Sequence, residues 1–310
     1  MKLTYAFCTY NRSHRLPELV KALAAQRCPG ELELLAVDNN SSDDTAIVLE
    51  RLAKQSPVHL RLVRENAQGI VHARNRAIAE TLDRDVLIFI DDDELPDPGL
   101  SAAVCDAIGR EGAHCVGGRI AIDYAPFVRP GWMNAELEGF LGRIDYGDQP
   151  LWVENDKHPL WSGNIAYDMT LFRNDPALRF DIRYNRAGEG IGGGEDAMMF
   201  RELLNRKLRI RYRPDMSIRH LVDPWKLRRK YFLELHFRAG VRFGQHRLEQ
   251  VGGEMLGIPP WLVRQLLVHA GRWCAMAFLG REGSLRQGMN VAHTFGTLCG
   301  YRQRAAQTSI

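Results

Sequence analysis

The sequence predicts an α/β protein built on a doubly wound, mainly parallel sheet. Three observations carry this. Apolar runs rich in β-branched and aromatic residues alternate with helical patterns every ~25–30 residues through the first ninety positions. The run Val86-Leu87-Ile88-Phe89-Ile90 is uninterrupted, as in a strand buried on both faces. It stops abruptly on Asp91-Asp92-Asp93-Glu94, at the carboxyl end of a strand, where open α/β sheets bind ligands. Adjacent carboxylates repel one another, and a hard divalent cation such as Mg²⁺ or Mn²⁺ would relieve the repulsion. The competing reading is a solvated acidic turn.

Taken in order, Leu3–Cys8 reads as the first strand and ends in the polar turn Thr9-Tyr10-Asn11-Arg12. Leu16, Leu19, Val20 and Leu23 then follow helical spacing, with Pro17 tolerated in a first turn. Leu32–Val37 is a second strand, closed by Asp38-Asn39-Asn40-Ser41-Ser42, which supplies turn and helix-capping chemistry. Ala46, Ile47, Leu49 and Leu52 give the next helix, Val58–Val63 a third strand, and Ile70, Ala73, Ala77, Ile78 and Leu82 a third helix opened by Gly69. Right-handed crossovers with strand order 3-2-1-4 set strands one and four side by side. Thr9–Arg12 and Asp91–Asp93 should then line one crevice. The first loop has no glycine and no G-x-x-x-x-G-K-[ST] occurs, so nicotinamide-dinucleotide and P-loop chemistry both lose weight.

Beyond residue 94 the pattern loosens. Pro96–Gly99 reads as a turn, Leu100–Ile108 as a helix, Cys115–Ile122 as a strand, and 123–160 as irregular, with Trp132 and Trp152 suited either to sugar stacking or to local core. Trp161-Ser162-Gly163-Asn164 opens a further strand, where Gly163 permits close approach of a ligand. Gly188–Gly194 is a glycine loop leading into Glu195-Asp196 at the start of an amphipathic helix. Carboxylates there stabilise a helix N-terminus in any case. They also suit a general base held rigid beside a flexible loop that includes Gly193 and Gly194. Leu208–Tyr212 alternates as an edge strand, and Ser217–His220 follows.

Charge divides the chain. Residues 1–200 hold 21 Lys and Arg against 31 Asp and Glu, net −10, whereas 201–310 hold 20 against 7, net +13. A basic tail suggests an anionic partner: a membrane surface, a nucleic acid or a pyrophosphate. From Trp225 the tail reads as helical, and Trp261–Leu279 as a largely apolar helix carrying Arg264 and Arg272, suited to a membrane interface, to the main domain or to a second subunit. No run of 18 apolar residues occurs, so no spanning helix is expected. The six cysteines lack C-x-x-C spacing and read as buried thiols of a reducing compartment. The first strand begins almost at residue 1, so no signal peptide is expected.

The landmarks together resemble family 2 glycosyltransferases of the GT-A fold. They are Phe7-Cys8-Thr9-Tyr10-Asn11-Arg12, Val37-Asp38-Asn39-Asn40-Ser41-Ser42-Asp43-Asp44-Thr45, Gly69-Ile70-Val71-His72-Ala73-Arg74-Asn75, the Asp91-x-Asp93 motif, and Glu195-Asp196 after a glycine loop. Cys8 stands where the family usually has proline. The resemblance implies a GT-A, Rossmann-like sheet between helices over residues 1–222, with 1–122 as the nucleotide-sugar half and 123–222 as the acceptor half. A basic amphipathic extension then covers 223–310. It implies an inverting transfer from a nucleoside-diphosphate sugar, with UDP favoured by Asp38, to a glycan or lipid-linked hydroxyl in surface-polysaccharide or related synthesis. Thr9, Tyr10, Asn11, Arg12, Asp38, Asn40, Arg74, Asp91 and Asp92 would meet the nucleotide, and Asp93, Asp91 and His220 would hold Mn²⁺ or Mg²⁺. Asp196, assisted by Glu195, would be the base, and Trp161, Ser162, Gly163, Asn164, Gly193 and Gly194 would line the sugar and acceptor sites. The expected setting is cytoplasmic, peripheral at the inner membrane face through 225–280, as a possible homodimer and without nucleic acid. The rivals are a nucleotidyltransferase and a non-catalytic nucleotide- or carbohydrate-binding module on the same scaffold.

Overall fold

The computed structural model describes residues 1–186, 194–248 and 258–308. The expected glycine loop, apart from Gly194, lies outside the described residues, Gly193 included. The described residues form two compact units, one from 1–186 with 195–222 and one from 223 onward together with Gly194.

The first unit opens as β1 (Lys2–Thr9), α1 (Leu16–Ala24), β2 (Glu31–Asp38), α2 (Thr45–Gln55), β3 (Leu60–Arg64), α3 (Ile70–Glu80) and β4 (Val86–Ile90). These strands pair in parallel in the order β3-β2-β1-β4. All five residues of β4 are buried, as a strand with helices on both faces requires. The apolar faces of α1 and α3 (Leu16, Leu19 and Leu23; Val71, Ala77 and Ile78) cover the sheet as their helical spacing dictates.

The remainder is mixed in direction. It comprises β5 (Glu94–Pro96), α4 (Leu100–Gly109), β6 (Cys115–Asp123), α5 (Ala135–Gly139), β7 (Leu151–Val153), β8 (Asn164–Asp168), α6 (Thr170–Asn174), α7 (Glu195–Asn205) and β9 (Ile210–Leu221). The sheet continues from β4 through β8, β6 and β9 to β5, with β7 also on β9. Three differences from the sequence reading matter. Trp161–Gly163 precedes β8 as a turn, closed by the Asn164 N–H on the Trp161 carbonyl at 3.1 Å. The segments around Tyr212 and Ile218 are one strand, and that strand is internal rather than an edge. Pro214 and Asp215 fall where the register shifts between Gly118 and Ile120. A bulge absorbs the extra residues there and leaves proline no ladder hydrogen bond to lose. Gly118 makes the bulge possible, because a Cβ there would lie 1.6 Å from the Met216 carbonyl oxygen. Finally, Glu94-Leu95-Pro96 is itself a strand, antiparallel to Ile218–His220.

The second unit holds α8 (Arg229–His246), α9 (Pro260–Phe278) and α10 (Ser284–Thr308). Among the described residues no helix is long and apolar enough to cross a membrane.

Candidate active site

The crevice opens at the carboxyl ends of β1, β2 and β4. Parallel pairing of β1 with β2 sets Thr9 beside Asp38. The Thr9 hydroxyl donates to Asp92 Oδ2 at 2.8 Å, joining the first loop to the acidic run. The loops after β1 and β2 fold onto one another. The Asn11 N–H donates to Ser41 Oγ at 3.0 Å, and Asn11 Oδ1 accepts from the Ser42 N–H at 2.8 Å. Asn11 and Asn40 have φ of 52° and 61°, a left-handed conformation that asparagine tolerates better than most residues. Asp38 is buried and accepts the Ser41 N–H at 3.1 Å. Asn40 accepts from Arg64 at 2.9 Å, and Arg12 donates its backbone N–H to Thr45 Oγ1 at 3.3 Å. Tyr10 is half-buried at the same turn.

The acidic run is shaped by tertiary pairing. Glu94 turns back on the loop, and its Oε2 accepts the Asp91 N–H at 3.0 Å. Burial, then the nearby Asp91 and Asp93, push the Glu94 carboxyl well above the carboxylate range. Gly163 is the floor beneath it, since a Cβ there would lie 2.4 Å from Glu94 Oε1. Burial and the Asp93 charge likewise push Asp92 up to about 7, against the lowering effect of the Thr9 hydrogen bond. The β5–β9 ladder sets His220 opposite Glu94, which brings His220 Nε2 to 3.4 Å from Asp93 Oδ2. Arg15 approaches the same oxygen at 3.9 Å. Among the described residues no group of three or more His, Cys, Asp and Glu side chains forms a ready cation cage.

The opposite wall is the start of α7. Arg74 on α3 is 3% exposed. Its Nη2 donates to Asp91 Oδ1 at 3.0 Å, and its Nη1 donates to Asp196 Oδ1 at 2.5 Å and Glu195 Oε1 at 3.1 Å. Burial opposes the guanidinium charge, but the three carboxylates outweigh it and raise the Arg74 pKa well above its usual value. Burial and Asp196 raise the Glu195 carboxyl, with Arg74 opposing them. Among the described residues, the buried Oε2 of Glu195 has no hydrogen-bond partner. Gly194, just before α7, has φ of 103°, which favours glycine.

Not every expected residue shares this crevice chemistry. Asn164 spends its side-chain N–H groups on the Arg119 and Met216 carbonyls, at 3.0 and 2.8 Å, which pins the β6–β9 bulge. Ser162 is buried, and Trp161 packs against the core from the turn before β8. Two contributors carried no assigned role in the sequence reading, Glu94 and Arg15. Glu94 was hidden as the fourth residue of an acidic run, though the following Leu-Pro marks the start of a short strand.

Comparison with known proteins bears on this geometry. The model of the family "Glycosyl transferase family 2" matches residues 6–175. Over 95 residues the chain is 35% identical to a Bacillus subtilis (strain 168) protein described as "Uncharacterized glycosyltransferase YfnE". That match covers 31% of this chain and 24% of the relative. Among solved structures, S. aureus TarS 1–349 in complex with UDP aligns with a TM-score of 0.55 at 17% identity, covering 98% of this chain and 92% of that one. TarS 1–349 in complex with UDP-GlcNAc aligns at 0.52 and 15%, with the same coverages. At these identities the likeness is one of fold.

Proposed function

The chain belongs to glycosyl transferase family 2, and from that premise we propose that it transfers a sugar, with inversion, from a UDP-linked donor to a hydroxyl of a glycan or lipid-linked acceptor. The observation that carries this reading is the meeting, on one buried arginine, of a carboxylate from the end of β4 and two from the start of α7. An inverting transfer needs such an arrangement, with donor-side acids at the sheet edge and a separate carboxylate facing the acceptor.

In this reading residues 1–122 hold the donor and 123–222 the acceptor. The loops at Thr9–Arg12 and Asp38–Asn40 receive the nucleoside, and Asp38 contacts the base. Asp196 accepts the proton of the acceptor hydroxyl as its oxygen attacks the anomeric carbon from the face opposite the diphosphate. A positioned base of this kind contributes typically about 10²–10⁴-fold. The bond to the diphosphate breaks as the new bond forms, and the diphosphate leaves as a stable anion that needs no proton, so one carboxylate suffices where hydrolases use a second to protonate the leaving oxygen. The donor set fits a divalent cation: Asp93 and His220 offer oxygen and nitrogen from nearly one point, and ions such as Mg²⁺ keep sites for substrate phosphates rather than a full protein cage. Bound there, Mn²⁺ or Mg²⁺ would neutralise charge developing on the leaving diphosphate. The UDP and UDP-GlcNAc complexes of TarS support a UDP sugar as donor.

A lipid-linked acceptor suits the second unit. Trp261, Leu267, Phe278 and Leu279 are exposed, beside Arg264 and Arg272. A face of this kind suits a headgroup region, and it supports a peripheral setting at the inner face of the cytoplasmic membrane, with surface-polysaccharide or related synthesis as the pathway. The first experiment is a thermal melt with UDP, other nucleoside diphosphates and Mn²⁺. A ligand that binds only the folded state raises the midpoint by mass action. A Mn²⁺-dependent rise with UDP is expected, and no rise with any diphosphate would overturn the reading.

A further inference from the structure

Arg74 belongs to α3, yet its side chain reaches two other elements. Its guanidinium carbon lies 5.6 Å from the centre of the Phe180 ring, and its nitrogens point two ways, to Asp91 after β4 and to Glu195 and Asp196 of α7. A planar fork can serve both directions at once, whereas an ammonium is a single point charge. Three carboxylates already share the guanidinium, which makes it a poor site for a phosphate and a good splint between acids. The chain on the far side of residues 187–193 is held by the same helix. The Arg186 carbonyl accepts the Ile70 N–H at 3.0 Å, and Asn185 Oδ1 accepts the Val71 N–H at 3.1 Å. α3 therefore anchors the chain both before and after that stretch, and Arg74 is its contact on the α7 side.

We infer that Arg74 is the positioning residue for the Asp196 carboxylate, and that it ties the setting of that base to Asp91 at the donor end of the crevice. The inference rests on the reading of Asp196 as the base. Arg74 acts through Asp196 and not on the nucleotide. With Arg74 absent, the first turn of α7 loses these hydrogen bonds to α3 and sets two carboxylates against Asp91 without the guanidinium between them.

The test uses the full chain with Mn²⁺ and UDP-GlcNAc as probe, following release of UDP to water. Arg74→Met should lower kcat about a hundredfold or more with KM changed less than about threefold, the pattern of a lost transition-state arrangement. Arg74→Lys, which keeps the charge, should recover about tenfold of that loss, because a point charge reaches one of the two directions. The double variant Arg74→Met with Asp196→Asn should be within about twofold of Asp196→Asn alone, because residues acting as a unit are non-additive. A rise in KM with kcat held, or losses that multiply in the double variant, would overturn the inference. If Arg74→Met does not fold, the same kcat and KM criteria decide on Arg74→Lys. If the wild-type chain releases no UDP, the donor reading fails, and hydrogen exchange without ligand decides the inference. Amides of residues 199–203 should then exchange about tenfold or more faster in the Arg74 variants while those of β1 do not, and unchanged exchange in α7 would overturn it.

Discussion

The amino-terminal unit takes arginine and glutamate side chains out of water: Arg74, Glu94 and Glu195 are all nearly fully buried. The carboxy-terminal unit takes bare backbone out of water instead. A Cβ added at Gly240 or Gly244 of α8 would lie 2.0 Å from the His293 carbonyl oxygen or 2.2 Å from that of Thr297, both on α10. Added at Gly296 or Gly300 of α10, it would lie 2.1 Å from the Phe237 carbonyl or 2.0 Å from that of Val241. Two pairs of glycines four apart thus let two helix backbones meet, a spacing that favours close crossings. Neither solution is cheap. Unpaired buried charge costs several kcal/mol, and mid-helix glycine costs about 1 kcal/mol relative to alanine. The contrast teaches where to look for chemistry: the unit that keeps costly charges is the one with work for them, and the unit that keeps costly glycines is built for close packing.

Four substitutions break or sharpen this contrast, from largest to smallest effect. Asp196→Asn should lower sugar transfer by about 10²–10⁴-fold while UDP affinity, read by calorimetry, stays within about twofold; unchanged turnover would remove Asp196 from the mechanism. Gly244→Val should destabilise the carboxy-terminal unit by about 3 kcal/mol, since backbone and not a flexible side chain blocks the new atoms. Hydrogen exchange should speed in α8 and α10 and not in β1–β4, and equal speeding in both would show the units do not melt separately.

The third concerns His236, buried on α8 with its Nδ1 2.9 Å from the Phe232 carbonyl. Burial first, and the charges of Arg286 and His293 on α10 after it, push its pKa down to about 4, although the Phe232 contact favours the charged form. The folded pKa lies below the unfolded value of 6.5. The stability it contributes is therefore full above 6.5 and is lost as pH falls through about 4, on the order of 1–2 kcal/mol once the shift is discounted for solvent screening. Urea melts of His236→Phe between these limits should show a shallower loss than the wild type, and identical slopes would clear His236 of the effect. The smallest effect is expected at the exposed end of α9. Phe278, 92% exposed, changed to Glu should weaken sedimentation with phosphatidylglycerol vesicles about five- to tenfold, the loss of one buried side chain plus an added like charge. Equal sedimentation would remove this face from any membrane contact.

Legibility followed sequence distance. The order β3-β2-β1-β4 was readable because each step is a strand, a helix and a strand, and crossover handedness leaves few choices. The approach of Thr9 to Asp92 follows from that order alone. The mixed half was not readable in the same way. β9 looked like two pieces because Pro214-Asp215 interrupts its alternation, and only the Gly118 bulge on its neighbour explains the continuity. β5 is three residues long, too short for any periodicity to register.

By itself the sequence determined the family to which the chain belongs and where the parallel half of the sheet would put its open end. Strand burial, helix faces and the acidic stop after Ile90 are local properties, written within a few residues of one another. What only the tertiary structure decided was which acids meet. His220 reaches Asp93 because β9 pairs with β5. Arg74 reaches Asp196, 122 residues away, because α3 and the start of α7 flank the same crevice. Such contacts depend on the closure of long loops and on the register of non-local pairs. No window of residues encodes them, because the free energy that selects them arises only when the whole sheet is packed.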